Sequence, residues 1–361
     1  MINQEDIHAE AQRRREHSVF ILFFLRVIQC LQASVRGMSA KRFFWIGFAV
    51  FSVILLLSVV FFCRKPVIVV SDKAFTEIYG QRRELSRRIN VSLKLFRPVK
   101  TISISQGAGP DLAAQGAISL SSRPYAVFFP FRYREGALRY QKSKPGSTVV
   151  ILAGRKEPDI SGYPSAEGID SQNSSPLSAK PLWFYTDLET DLYRAGLIAG
   201  SFIRHGGQNP DNGRIWGDIY RQEIAVFLDG LTGKEKSAFQ AGLEEQQWGG
   251  TPFFLSDSTE GDLACAVIAK DFQAFGEEKS DSLILFTWMD PALTPKRTLA
   301  IFDDSPWAQI CPVMGLIKKG DTIALIPSEI IVKGGDKALK QVYNEINTIK
   351  TVKKTGENAD N

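Results

Sequence analysis

Twelve residues have side chains suited to holding a small polar molecule: Asp72, Phe75, Gln106, Arg132, Arg155, Asp187, Asp218, Arg221, Trp288, Asp290, Asp303 and Asp304. Each ends, or closely follows, a short run of β-branched and aromatic residues that reads as a strand. Carboxylates and arginines make the stronger, charge-assisted hydrogen bonds, and a bidentate Arg adds geometric selectivity. Aromatic faces such as those of Phe75 and Trp288 offer apolar area on which a sugar ring or a base can stack. A plainer reading stands beside this one. An Asp that ends a strand also caps the next helix, Trp288 beside Met289 also packs between layers, and Arg132 and Arg155 are also ordinary solvated arginines.

Covalent chemistry has little in its favour. Of three histidines only His205 lies beyond residue 65. It stands at a helix end beside a glycine pair, where an imidazole serves as a charge partner for the helix dipole. There is no His-based metal-ligand spacing, no GxSxG and no phosphate-binding P-loop. A glycosidase-type carboxylate pair is the enzymatic alternative, and no spacing fixes it. The expectation is a protein that is not an enzyme and needs no cofactor or metal.

The elements that must position these groups alternate. Strands are expected at 67–71, 99–105, 125–131, 148–152 and 182–187, with helices at 74–96, after Gly109, and at 135–141. The polar, Ser/Pro/Gly-rich segment 157–181 is a long surface loop. A helix follows at 191–207, ended by a glycine pair, then a strand at 213–219. Residues 222–247 read as a helix broken around Thr232-Gly233, and GDLACAVIAKDFQAF (261–275) as another. Further strands are expected at 252–257, 282–290, 298–304 and in extended 322–335, before a closing helix at 337–350. Such alternation calls for parallel sheets flanked by helices. The fold class is α/β: two Rossmann-like lobes, each with a five-stranded parallel sheet, around a cleft. In open sheets of this kind ligands sit beyond the carboxyl ends of the strands.

Ahead of the lobes runs FFWIGFAVFSVILLLSVVFFC, residues 43–63, uncharged and long enough to cross a bilayer as a helix. Seven Lys or Arg precede it (Arg13, Arg14, Arg15, Arg26, Arg36, Lys41, Arg42) and only Arg64 and Lys65 follow closely. The positive-inside rule places the N-terminus in the cytoplasm and residues 66–361 outside, in a single pass of the inner membrane. Residues 19–32 are apolar but too short to span and fit an interfacial segment. Met38, followed by a basic stretch and the apolar run, is an alternative start that would make the segment signal-like. Cys63 raises lipidation, against which stand the bulky residues before it. Of 44 Lys and Arg and 39 Asp and Glu, nine and four fall in the first 65 residues, leaving 35 of each. That balance argues against a nucleic-acid partner. Cys265 and Cys311 sit in apolar contexts where buried free thiols are common.

In this frame the chain resembles the type I periplasmic solute-binding fold, shared by sugar-binding proteins and the effector domains of LacI-type repressors. The segment TDLETDLYRAGLIAGSFIRHGG, with Ala195, Gly196, Ala199 and Gly200, looks like the first helix of that family's second lobe. KSAFQAGLEE (236–245) is similar to its F-x-x-G helix at Phe239 and Gly242. LAIFDDSP (299–306) looks like the strand ending in a ligand-facing Asp, which implies ligand contact for Asp303 or Asp304. The sequence departs from the family at SDKAFTE after the first strand, and at PWAQICPVMGLIKKGD, where only a short segment stands in place of a full helix. No helix-turn-helix precedes the lobes, so a repressor is excluded. The resemblance implies a hinge near Asp187, Asp304 and Ile326 that closes two lobes on a sugar or nucleoside, with an ABC-type permease or a membrane sensor as partner. The rival reading is a protein-interaction module on a degenerate binding fold. The expected organisation is a cytoplasmic or untranslated leader (1–42), an anchor or signal segment (43–63), lobe one (66–187 with part of 305–325), lobe two (188–304 with 326–350) and a disordered tail (351–361).

Overall fold

The computed structural model describes residues 40–72, 81–104, 109–121, 123–154, 181–204, 223–255, 263–268, 280, 282–286, 294–303, 305–333, 345–346 and 348–349. Among the described residues the first unit contributes α1 (Ala40–Cys63, 24 residues). Its apolar side chains are largely exposed, among them Trp45, Phe48, Leu56 and Phe62. Among the described residues no helix is long and apolar enough to cross a membrane. The side chains described for α1 are those of Trp45 and residues 47–63, and membrane attachment stays an inference from the sequence.

The second unit, Arg64–Asn361, holds two sheets. Strands β1 (Val67–Asp72), β2 (Val99–Ile104), β3 (Ala126–Pro130), β4 (Val149–Leu152) and β5 (Leu182–Thr186) alternate with α2 (Gln81–Leu95), α3 (Pro110–Leu120) and α4 (Arg134–Ser143). After α5 (Leu188–Arg204) come β6 (Glu223–Phe227), α6 (Gly233–Glu245), β7 (Phe253–Phe254), β8 (Leu263–Ile268), β9 (Leu283–Leu285) and β10 (Thr298–Asp303). The chain then returns through α7 (Pro306–Lys319) and β11 (Ile323–Ile326) and ends the described sheets with β12 (Glu329–Val332). The first sheet runs β11-β5-β4-β3-β1-β2 and the second β12-β10-β9-β8-β6-β7. Ignoring the edge strand added late, both have the doubly wound order 2-1-3-4-5. All described pairings are parallel except β10 with β12.

Parallel strands covered on both faces are apolar throughout, and β1 shows the two faces in turn. Val67 and Val69 pack with Val91 of α2 and with Trp307 and Ile310 of α7. Ile68 and Val70 pack with Ala113 of α3 and with Ala137 and Tyr140 of α4. In the second sheet Ile224, Val226, Ala264 and Val267 meet α5 and α6. These two helices cross at glycine on glycine. A Cβ on Gly196 would lie 2.3 Å from the Phe239 carbonyl oxygen, and one on Gly242 would lie 2.2 Å from that of Tyr193.

The structure corrects the sequence reading in four places. Residues 223–227 form a strand where a helix is expected, and so do residues 263–268. The segment after β10 is a full 14-residue helix, α7, and the helix expected to be missing is present. It is capped at both ends: Ser305 accepts the Ala308 N–H at its start, and Gly320 adopts φ 92° at its end, the left-handed conformation glycine tolerates. Each sheet has six strands, not five, because β11 and β12 return to the first and the second respectively.

Candidate functional site at the crossings and carboxyl edges

Three chain crossings join the two sheets: β5 to α5, β10 to α7, and β11 to β12. They are stitched to one another by buried polar groups. Asp187 donates its backbone N–H to the Ile326 carbonyl (2.9 Å), joining the first crossing to the third. Its carboxylate accepts from the Thr190 N–H (3.1 Å) and hydroxyl (2.7 Å), so the side chain caps α5. Asp191, one turn on and fully buried, accepts the Ser328 N–H (2.9 Å) and hydroxyl. Arg194 donates to Asp191 (3.1 Å) and to the Ser328 carbonyl (2.9 Å), and its guanidinium lies over the Phe302 ring. Burial pulls the Arg194 pKa down from its ordinary value, while Asp191 and Asp187 work against that shift.

The second crossing carries an ion pair. Asp303, at the end of β10 and 0 % exposed, lies 2.5 Å from the guanidinium of Arg87 on α2. Its other oxygen accepts the Ser305 N–H (3.1 Å). Burial raises the Asp303 carboxyl above its ordinary value and Arg87 opposes the rise. Gln309 of α7 donates to the Thr186 hydroxyl (2.8 Å), tying this crossing to the first. Buried polar groups are held in place by such partners, and these bonds tie the three crossings to one another.

The expected binding residues divide accordingly. Arg132 lies exposed just beyond β3, beside β1, at the switch point of the first sheet, where doubly wound folds place their ligands. Asp187 is a helix cap, and Asp303 is committed to Arg87. The side chain of Asp72 and the residues Phe75, Gln106, Arg155, Asp218, Arg221, Trp288, Asp290 and Asp304 lie outside those described, as does the segment 157–180. Cys63 is exposed at the end of α1. Sequence reasoning missed Asp229, which stands exposed two residues beyond β6 at the switch point of the second sheet. The signal was EIAVF followed by an Asp-Gly pair. The Thr232–Glu235 capping box behind it fixes the start of α6.

Among the described residues no group of three or more His, Cys, Asp or Glu could hold a metal. Burial pushes the Cys265 thiol up to about 12, which makes it unreactive. A cavity of about 310 Å³ opens at the opposite edge of the first sheet, between Pro145–Val149 and Gly320–Thr322.

That opposite, amino edge is strongly cationic. Its loops carry Arg64, Lys65, Arg97, Arg123 and Lys144, and the last turns of its helices carry Lys94, Lys142, Lys318 and Lys319. The only described carboxylate among them is Asp321. Counted in the same way, the second sheet's amino edge has Arg204, Lys296 and Arg297 against Glu244 and Glu245.

No protein-family model matches the sequence, and no curated protein sequence matches it. Solved structures do align with the chain. A transcriptional activator of the comK gene from Bacillus halodurans aligns at TM-score 0.46 and 11% identity, over 79% of this chain and 97% of its own. A periplasmic solute-binding protein of an ABC transporter from Actinobacillus succinogenes, solved with D-allose, aligns at 0.42 and 10%, over 78% and 100%. A carbohydrate-transporter binding protein from Agrobacterium radiobacter, solved with D-arabinose, aligns at 0.35 and 13%, over 78% and 100%.

Proposed function

We propose that the chain is a membrane-tethered, extracytoplasmic binding protein that captures a small polar ligand, a sugar or nucleoside, between two lobes. What supports the reading is the repeated 2-1-3-4-5 strand order joined by three crossings, the geometry in which two open sheets face one another across a hinge. Arg132 and Asp229 at the two switch points are the described groups offered to the ligand, with Asp72, Phe75, Trp288 and Asp304 expected beside them. Lobe one takes residues 66–187 with part of 305–325, and lobe two takes 188–304 with 326–350. Residues 43–63 hold the lobes to the outer face of the cytoplasmic membrane, and the cargo passes to an ABC-type permease or is reported to a membrane sensor. The protein acts by binding and not by catalysis.

Native mass spectrometry of the detergent-purified chain, followed by a thermal-shift screen of sugars and nucleosides, tests this. A co-purified solute, or a Tm rise of several degrees with one compound class, is the expected result. Once a compound is found, Arg132→Ala should weaken it at least about tenfold, the usual penalty for losing a charged hydrogen bond. The commitment of Asp303 to Arg87 favours a second reading, a protein-interaction module on the same fold. Bare protein with no shift across the panel would transfer support to it.

A further inference from the structure

The tether between α1 and the first sheet is very short. Only Arg64, Lys65 and Pro66 separate Cys63 from Val67, a reach of about 10 Å for three extended residues. The tether is also fastened to the sheet. Arg97 donates to the Lys65 carbonyl (3.3 Å) and stacks over Tyr125, and Arg64 lies over the Phe96 ring. The backbone of Tyr125 donates to the Pro66 carbonyl (2.8 Å). The chain therefore enters the first sheet at its amino edge, three residues after α1 ends.

The edge at which the chain enters is the cationic one. Lysines at helix ends are common because they complement the helix dipole, but among the described residues the two helix ends at the second sheet's amino edge carry Arg204 against Glu244 and Glu245. Among the described residues none of the nine cations is ion-paired to a carboxylate. We infer that the amino edge of the first sheet is a docking face for anionic phospholipid headgroups, in the leaflet from which α1 emerges. Arg64, Lys65, Lys94, Arg97, Arg123 and Lys144 lie nearest the tether or in the adjoining loops. Lys318 and Lys319 extend the face toward β11. The inference rests on the membrane-tethered reading, and it adds an orientation: the carboxyl edge, with Arg132, points away from the bilayer.

The test uses the full chain reconstituted in vesicles of phosphatidylcholine alone, or with about a third phosphatidylglycerol. Amide hydrogen exchange is read over residues 93–100, 121–125, 142–148 and 316–322. On the anionic vesicles these segments should exchange about tenfold more slowly, and the protection should vanish in about 0.5 M salt. It should vanish also in a Lys94→Gln, Arg123→Gln, Lys142→Gln, Lys318→Gln variant, whose exposed changes leave the Tm unaltered. Equal exchange on both vesicle types overturns the inference, as does protection indifferent to salt and to the variant, or equal protection by a DNA duplex in place of lipid. Resistance to alkaline extraction reads the tether separately. If the chain is extracted, the tether reading fails on its own. The edge is then judged by salt-reversible co-sedimentation of the full chain with phosphatidylglycerol vesicles and not with phosphatidylcholine ones, and sedimentation with neither overturns it.

Discussion

Arg87 and Asp303 show how much a single pair can decide. The carboxylate is fully buried and the guanidinium is only 18 % exposed, so removing the cation strands a charge in a poor solvent for it. Arg87→Ala should destabilise the protein by about 3 kcal/mol at neutral pH, the scale for breaking a buried pair from one side. The pH dependence has a definite sign. The Asp303 pKa is raised in the folded state, so its favourable contribution is complete below the unfolded value near 3.8 and is lost as pH rises through the folded one. Without Arg87 the folded value climbs further and the loss at neutral pH grows. Denaturant titrations at pH 7 and near pH 4 should therefore show the Arg87→Ala deficit shrinking in acid. An equal deficit at both would mean that the two side chains do not interact in solution. Asp303→Asn combined with Arg87→Ala should recover much of the neutral-pH loss.

At the scale of elements, the pairing of α5 with α6 is set by Gly196 and Gly242. Alanine is the better helix former by about 1 kcal/mol, yet a methyl at Gly242 would meet the Tyr193 carbonyl oxygen at 2.2 Å. Backbone cannot yield as a flexible side chain does, so Gly242→Ala should cost about 2 kcal/mol or more and lower the Tm. Gly315 in α7 has nothing within 4 Å of the place a methyl would take, and Gly315→Ala should raise stability by roughly 0.5–1 kcal/mol. Matching shifts in the two variants would discount the close crossing. These glycines were legible in the sequence as part of a family-like helix, and their contact was not. Elements were legible where composition and period agree, as in VIVVS and in the Ala/Gly face of α5. They were lost where a strand buried on both faces has no alternation to show. LACAVI is buried at every position, and its small residues imitate a helix interior. EIAVF was absorbed into the helix that follows it, which hid the strand end and with it Asp229. Pro312 inside α7 lowered the apparent helical length of PWAQICPVMGLIKK, because an interior proline removes a backbone hydrogen bond. The ion pair and the Asp191–Ser328 link join residues more than a hundred positions apart, which no local pattern encodes.

For the whole molecule, the crossings predict cooperative unfolding. Two sheets joined by loops alone would melt independently, whereas here Asp191, Arg194, Ser328, Thr186 and Gln309 form buried bonds across the joints. The full chain in denaturant should show one transition with coincident far-ultraviolet circular dichroism and tryptophan fluorescence. Asp191→Ala, which removes the acceptor for Ser328 and leaves Arg194 buried without its carboxylate, should lower the midpoint and separate the two probes. Two resolved transitions in the unaltered chain would show that the joints transmit little. On the proposed reading, a ligand that draws the lobes together must supply the free-energy difference between this bonded geometry and the closed one.

The late arrival of β11 has a consequence for how the protein is made. The first sheet is begun by residue 67 and its edge strand is supplied by residues 323–326, after all the described parallel strands of the second sheet have been synthesised. The helix that covers one face of that first sheet, α7, is made only shortly before. A chain emerging from a ribosome or a translocon therefore carries an unfinished first sheet, with Val67, Val69 and Phe128 covered only in part, by α2, until nearly its whole length is out. Nascent chains halted before about residue 326 should bind chaperones and be readily digested, and those released beyond β12 should not.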